Sequence, residues 1–356
     1  MDPLTHTLVG ASLAQTRFGR MPLGTATLVI GANLPDVDAA TYFLGGDLSL
    51  GFRRGWTHGV LAMAVLPALL AWVMHRVDQV RCRRMPAARP IPVGRLLGVS
   101  YLAVLSHPAL DWLNTYGVRL LMPFDGRWFY GDSLFIVDPW VWLLLGTCVV
   151  LAHSGSRPLA AGWIALGVIA TVLVTGVPGV PLGMRVLWCL GLAGVAGLRV
   201  WGGLQPRLQQ VATVCVTLVV VYIAGMVGSS QLARAQVAQW ARDKGLDPVG
   251  IMVSPVPADP FRRDILIADD RHYHRLGFNW LAADRVVPRG PTTEIGDAGH
   301  PAAAAALMAP EIWGFANWTR FPSFRVDPGA DGYRVTISDI RFGTEVVELD
   351  RDLLPR

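Results

Sequence analysis

Six side chains of metal-ligand type, His6, Asp36, Asp38, His58, His107 and Asp111, fall in the first third of a strongly apolar chain. Each can offer a nitrogen or an oxygen to a cation. Asp36 and Asp38 flank Val37 directly after Asn33-Leu34-Pro35, so one short stretch carries two carboxylates. His107 and Asp111 stand four residues apart in an apolar run, which on a helix puts them on one face a turn apart. Imidazole and carboxylate together suit Zn²⁺, Mn²⁺ or Fe²⁺ better than Mg²⁺ or Ca²⁺. Three histidines and three aspartates exceed what one tetrahedral zinc needs, so one or two divalent ions are expected, with zinc the first choice.

The elements that must position these residues follow from composition. Hydrophobic residues make up 52% of the chain and charged residues 16%, where a soluble domain carries about 25% charge. An integral membrane protein is expected. The apolar content nearly stops after Val227, which divides 356 residues into a helical membrane domain over 1-229 and a soluble domain over 230-356. Met1-Asp2-Pro3-Leu4 lacks the basic start of a signal peptide, so the N-terminus is expected to be retained. Cys82, Cys148, Cys189 and Cys215 are widely spaced and suggest neither disulfides nor a thiolate cluster.

Apolar runs predict helices over Thr5 to Thr16, Pro22 to Leu34, Thr57 to His75, Arg95 to Leu113, Asp138 to His153, Pro158 to Val177, Leu182 to Val200 and Gln209 to Gly228. The fold class is therefore mainly α: a polytopic domain of about eight apolar helices, then a small α+β domain. The first two helices are shorter than the roughly 20 residues that cross a bilayer. Arginines collect at alternate helix ends: Arg17 and Arg20, the run from Arg76 to Arg95, Arg157, and Arg199 with Arg207. Those ends should be cytoplasmic. His6, Asp36, Asp38, His58, His107 and Asp111 then all lie toward the outer side, and so does the C-terminal domain.

Each residue also has a plain structural reading. Thr5-His6 and Thr57-His58 fit helix caps, and Asp-x-Asp after Asn-x-Pro fits a solvated turn. His107 and Asp111 resist that reading, because ionisable residues in an apolar segment need a partner, a cavity or an ion. Asp138 precedes Pro139, where a carboxylate is a natural N-cap; proton acceptor and orienter of a ligand histidine stay open for Asp138 and Asp132. Asp36 and Asp38 are the other candidate proton acceptors. Arg54, Arg119 and Arg127 are expected to hold a phosphate or headgroup, although arginine near a bilayer also binds lipid nonspecifically. His272-Tyr273-His274 places two histidines on one strand face, read as solvated.

The ordered motifs Thr5-His6-Thr7, Asn33-Leu34-Pro35-Asp36-Val37-Asp38, Arg54-Gly55-Trp56-Thr57-His58-Gly59 and His107-Pro108-Ala109-Leu110-Asp111-Trp112-Leu113-Asn114-Thr115-Tyr116-Gly117 carry a resemblance. Over roughly the first 150 residues the chain resembles the YdjM-like family of inner-membrane, predicted metal-dependent hydrolases. The segment from Pro123-Phe124 to Asp138-Pro139 shares it, and the C-terminal part is similar to an extension of longer members. Gly59 follows His58 where serine is expected, which removes a possible hydroxyl contact. Thr5-His6, Asn33-Leu34-Pro35-Asp36 and His107 to Asp111 are also similar to zinc-dependent phospholipase C and P1 nuclease, enzymes that cleave phosphate esters.

Residues and resemblance together lead to a multi-pass inner-membrane hydrolase, metal-dependent, that cleaves a lipid or lipid-linked phosphoester at the outer face. A lipid amide or ester hydrolase is the alternative enzyme, and a non-enzymatic metal- or lipid-binding membrane protein is the alternative class. Apolar segments up to Gly228 lead on to an amphipathic stalk, Gln231 to Trp240, then to strands over Val249 to Val253, Ile265 to Ala268, Tyr273 to Trp280 and Tyr333 to Ile337. The sequence holds no phosphate-binding glycine loop and no Gly-x-Ser-x-Gly elbow. The net charge of +5 comes largely from membrane-flanking arginine, so no nucleic acid is expected, and no protein partner is indicated.

The arginine pattern sets a topology that reporters can check. Alkaline phosphatase fused after Gly228 should be active, and a fluorescent protein placed between Arg76 and Arg95 should fluoresce. A fluorescent fusion after Gly228 would reverse the orientation and move the six ligands to the cytoplasmic side.

Overall fold

Asp2 opens the fold by capping helix α1 (Pro3–Gln15): its carboxylate accepts the Thr5 backbone N–H and Pro3 occupies the first turn. In the computed structural model, which covers residues 1–356, α2 (Gly24–Asn33) follows, then a 3₁₀ stretch (Leu34–Leu44) and the short helix α3 (Gly46–Phe52). The long apolar helices α4 (Val60–Arg84) and α5 (Val93–Trp112) come next, then α6 (Pro139–His153), α7 (Arg157–Gly176), α8 (Leu182–Trp201) and α9 (Leu208–Asp243). Five helical stretches are long and apolar enough to cross a membrane: α4, α5, α7, α8 and Gln205–Asp243, which contains α9. The apolar α6 is shorter. Leu61, Val65, Leu69 and Trp72 on α4 and Ile164, Val168 and Val172 on α7 are exposed, as expected of surfaces that face hydrocarbon.

Two glycines decide how closely the site-bearing helices approach. A Cβ on Gly10 would lie 2.7 Å from the Leu28 carbonyl oxygen, and one on Gly31 would lie 2.6 Å from Ala103 Cβ. Only a residue without a side chain fits either contact. Backbones on α1, α2 and α5 therefore pack tightly around Leu28, Leu70, Ala103 and Val104, in the small-residue manner of membrane helices.

One boundary differs from the sequence reading. Helix α4 continues to Arg84 rather than ending near His75, carrying Arg76, Arg81, Arg83 and Arg84 on its last turns. Buried Asp78 explains the extension: its carboxylate accepts Arg81 Nε at 2.8 Å and the Ile91 backbone N–H at 2.7 Å. The following loop is thereby folded back onto the helix.

Residues 1–37, 54–230 and 254–261 form one compact unit, and residues 38–53, 231–253 and 262–356 form a second. The units thus exchange segments along the chain. In the first, the Trp140 indole donates to the Ala258 carbonyl at 3.1 Å. In the second, α3 packs on a helix near the chain's end.

Strands β1 (Gly250–Val256), β2 (Asp259–Ala268), β3 (His272–Asn279), β4 (Val286–Pro288) and β5 (Thr293–Glu294) make one sheet in the order β1-β2-β3-β4, with β5 also paired to β3. After α10 (Pro301–Leu307) and α11 (Trp313–Trp318), strands β6 (Pro322–Gly329), β7 (Gly332–Asp339) and β8 (Thr344–Asp350) form an antiparallel sheet. Ala233, Val237, Val253, Ile265, Ile267 and Phe278 fill the core beside the first sheet. Asp47 on α3 accepts the Gly314 and Phe315 backbone N–H groups at 2.8 and 2.9 Å, satisfying donors at the start of α11 that a helix leaves open. β6 and β8 escape sequence patterning because β6 carries Pro322, Pro328 and Gly329 and β8 carries Glu345, Glu348 and Asp350, residue types depleted in strands.

Asp339 fastens the end of β7. Its carboxylate is fully buried and takes Arg341 in a two-pronged pair at 2.9 and 2.8 Å, along with the Arg320 backbone N–H at 2.8 Å. Burial pushes its pKa up, but the Arg341 hydrogen bonds and charge outweigh that and hold it below the usual carboxylate range. Asp339→Ala should destabilise this unit by about 3 kcal/mol, since it strands a buried guanidinium. A depressed carboxylate stabilises above its unfolded pKa of about 3.9 and loses that contribution as pH falls through the lower folded value. Unfolding of the full chain in detergent, followed by tryptophan fluorescence, should therefore show acid destabilisation below pH ~4 that is smaller in the Asp339→Ala protein.

Candidate metal centre

His107 is aimed by α2. Its Nδ1 lies 2.7 Å from the Ala32 carbonyl oxygen, and because a carbonyl only accepts, Nδ1 carries the proton. Nε2 is then the lone-pair nitrogen, the form a metal requires. The close α2–α5 packing permitted by Gly31 sets this contact. His6, on the first turns of α1, stacks its ring on His107 with centroids 3.6 Å apart and planes 14° apart. His58 sits just before α4, with Nδ1 2.9 Å from the Thr57 hydroxyl, which directs its Nε2 at Asp111.

Asp111 is the hub. Its Oδ1 lies 3.3 Å from His6 Nε2, and its Oδ2 lies 3.3 Å from His58 Nε2 and 3.6 Å from His107 Nε2. Asp36 Oδ1 approaches His107 Nε2 at 3.5 Å. Two donor groups result, His6 with His107 and Asp111, and Asp36 with His58 and His107; within each, the ligand atoms lie within 4.8 Å of one another. Ligands around one zinc at about 2.0 to 2.2 Å stand roughly 3.0 to 3.5 Å apart, so the observed spacings suit a cation between them.

A second observation points the same way. Both His6 nitrogens and His107 Nε2 are buried without a hydrogen-bond partner, a state that costs about 1 to 3 kcal/mol per group. A divalent ion would satisfy them. The side chains of His6, His58, His107 and Asp111 are 1% exposed or less, whereas that of Asp36 is 19% exposed. Asp36 therefore marks the side from which water or a substrate reaches the donors.

Charge around Asp111 comes from Arg54, whose Nε lies 3.2 Å from Oδ2. The Arg54 guanidinium also donates to Asn114 Oδ1 at 3.0 Å and lies 4.6 Å from the Tyr116 ring centre. Its backbone takes a left-handed φ of 52°, a conformation uncommon outside glycine, and its carbonyl accepts the Arg119 N–H at 2.8 Å. The Met1 α-amino group also contacts Asp111 Oδ1.

Other expected site residues lie elsewhere. Asp38 is in neither donor group; its Oδ1 faces Arg53 Nε at 3.7 Å. The reason is local: Asp36 and Asp38 share a 3₁₀ stretch, where residues two apart point about 120° from each other, so only one can face His107. Asp138 caps α6, its Oδ1 accepting the Trp140 and Val141 N–H groups and its Oδ2 the Tyr222 hydroxyl at 2.9 Å. Arg119 is buried with its guanidinium 5.0 Å from the Trp128 ring centre. Arg127 is 73% exposed and paired with Asp125 at 2.6 Å. Sequence reasoning missed the orienting roles of Thr57, Ala32 and Asn114. Thr57 and Asn114 stand inside the motifs quoted above, so adjacency to His58 and Asp111 was a usable signal; a backbone carbonyl such as Ala32's leaves none.

The family model of the YdjM inner membrane protein matches residues 1–180. The chain is also similar to the uncharacterized protein YfhP of Bacillus subtilis (strain 168), 22% identical over 171 residues, which cover 44% of this chain and 48% of that protein. The chain thus spans about half the length of that curated relative. No solved structure matches it.

Metal analysis of the purified chain in detergent tests the geometry. His58→Ala and Asp111→Ala should bind at least one equivalent of zinc-type metal fewer than wild type, whereas Asp38→Ala and Asp138→Ala should bind as much as wild type. Thr57→Ala should weaken binding by about 10- to 100-fold, the usual effect of removing a group that orients a ligand histidine. Equal occupancy in all variants would mean that the cluster holds no ion.

Proposed function

The chain belongs to the YdjM inner membrane protein family, and from that premise we propose that it is a multi-pass, metal-dependent hydrolase of a membrane lipid or lipid-linked phosphoester. The observation that carries this reading is the convergence of His6, Asp36, His58, His107 and Asp111, with buried nitrogens of His6 and His107 that lack hydrogen-bond partners. A divalent ion bound there supplies Lewis acidity and an activated water.

The chain's own residues divide the remaining work. His6, His58, His107 and Asp111, the buried donors, would hold the ion. Asp36, the most open donor, accepts the proton released in hydrolysis or passes it to solvent. Arg54 fixes Asp111 and offsets its charge. Arg119, whose backbone N–H donates to the Arg54 carbonyl, adds a second guanidinium on the adjoining loop. Arg54 offsets one of the two carboxylates, Asp36 and Asp111, and a dication would leave the centre net positive, which favours an anionic phosphoester over a neutral ester or amide. The arginine clusters at the opposite helix ends, Arg17 with Arg20 and the run from Arg76 to Arg95, support action at the outer face of the membrane, with the C-terminal domain on that side.

The test is mass spectrometry of lipids from membranes incubated with wild-type and Asp111→Ala protein, each loaded with Zn²⁺ or Mn²⁺. A phosphorylated headgroup should be released by wild type only, with turnover lower by several orders of magnitude in Asp111→Ala. Arg119→Ala should mainly raise KM. Release of a fatty acid or free amine would shift the reaction to an ester or amide. No change in any lipid, with metal bound, would make the protein a metal or lipid carrier.

A further inference from the structure

We propose that Asp269, His272, His274 and Glu294, all within the second unit, form a further binding site for a zinc-type divalent cation. Asp269 stands in the turn between β2 and β3. Its Oδ1 accepts the Arg271 and His272 backbone N–H groups at 2.8 and 2.6 Å, which fixes the carboxylate and leaves Oδ2 directed at the strand. Oδ2 lies 2.6 Å from His274 Nε2, and His272 Nδ1 lies 3.7 Å from Oδ1. The two imidazole centres are 6.2 Å apart, on the same face of β3 because they alternate along it.

Strand register supplies the fourth donor. β5 pairs with β3 so that Glu294 stands directly opposite His272, and cross-strand partners share a face with Cβ atoms about 4.5 to 5.5 Å apart. A single hydrogen bond to Asp269 would account for His274. It leaves no reason for His272 and Glu294 to gather on that face.

Two imidazoles with two carboxylates select Zn²⁺, or Cu²⁺ and Ni²⁺ in its place, over Mg²⁺ and Ca²⁺. Access is open: the side chains of His272, His274 and Asp269 are 38%, 17% and 20% exposed. The cation joins the β2–β3 turn to β5, a strand of only two residues. It acts as a brace for this edge of the sheet, and it does not depend on the chemistry of the first centre.

The full chain in detergent, stripped with a chelator, is titrated with Co²⁺ as a spectroscopic stand-in and with Zn²⁺ against a competing dye. His272→Ala/His274→Ala protein should bind one equivalent fewer than wild type, while His58→Ala, which disables the first centre, should keep that equivalent. Glu294→Gln should weaken this site by about tenfold or more. In wild type, Zn²⁺ should also protect His272 and His274 from diethyl pyrocarbonate, a readout that needs no variant to fold. Equal metal content in wild type and His272→Ala/His274→Ala, or modification of both histidines unaffected by Zn²⁺, would overturn the site.

Discussion

A carboxylate buried among apolar helices has to be surrounded by positive charge or by a cation, and Asp111 imposes that demand on much of the first unit. It sits on α5 at 1% exposure, where an uncompensated negative charge would cost several kcal/mol. Arg54, His6 and His58 come from three different places in the sequence to meet it. The Gly10 and Gly31 contacts follow from the same requirement, because α1 and α2 must come within backbone contact for His6 and the Ala32 carbonyl to reach the α5 side chains. The donor cluster and the fold thus share one physical cause.

The sequence exposed this centre well where chemistry and periodicity coincide. His107 and Asp111 are one helical turn apart in a run of apolar residues, so their common face could be read directly. His6 and His58 were legible from their motifs and from the placement of the helix starts. Asp38 was not separable from Asp36, because two carboxylates with one residue between them look alike until the backbone between them is known to be 3₁₀. Asp138 carried its structural role in Pro139, the mark of a first helical turn. Arg54 was legible as a basic residue near the site, but its attachment to Asp111 spans 57 positions, a distance over which local patterning is silent.

The second unit was harder to read. β1, β2, β3 and β7 announce themselves by short apolar or alternating runs, whereas β6 and β8 are interrupted by proline, glycine and acidic residues. Here tertiary pairing rather than intrinsic preference makes the strand. The exchange of residues 38–53 and 254–261 between units left no compositional trace, since stretches this short carry too few residues to stand out from the segments around them.

That exchange also has a meaning in time. Asp47 and its Gly314 partner are 267 positions apart, and a ribosome adding roughly 5 to 20 residues per second needs on the order of 15 to 50 s to make the second after the first. Once α5 is made, early in that interval, the helices carrying His6, His107 and Asp111 exist, while the stretch joining Asp36 to Arg54 has no α11 to fasten it. Synthesis therefore delivers the donors early and the anchor for their connecting loop last, so a nascent chain stalled before Trp313 would hold the ligands without the piece that steadies the loop between them.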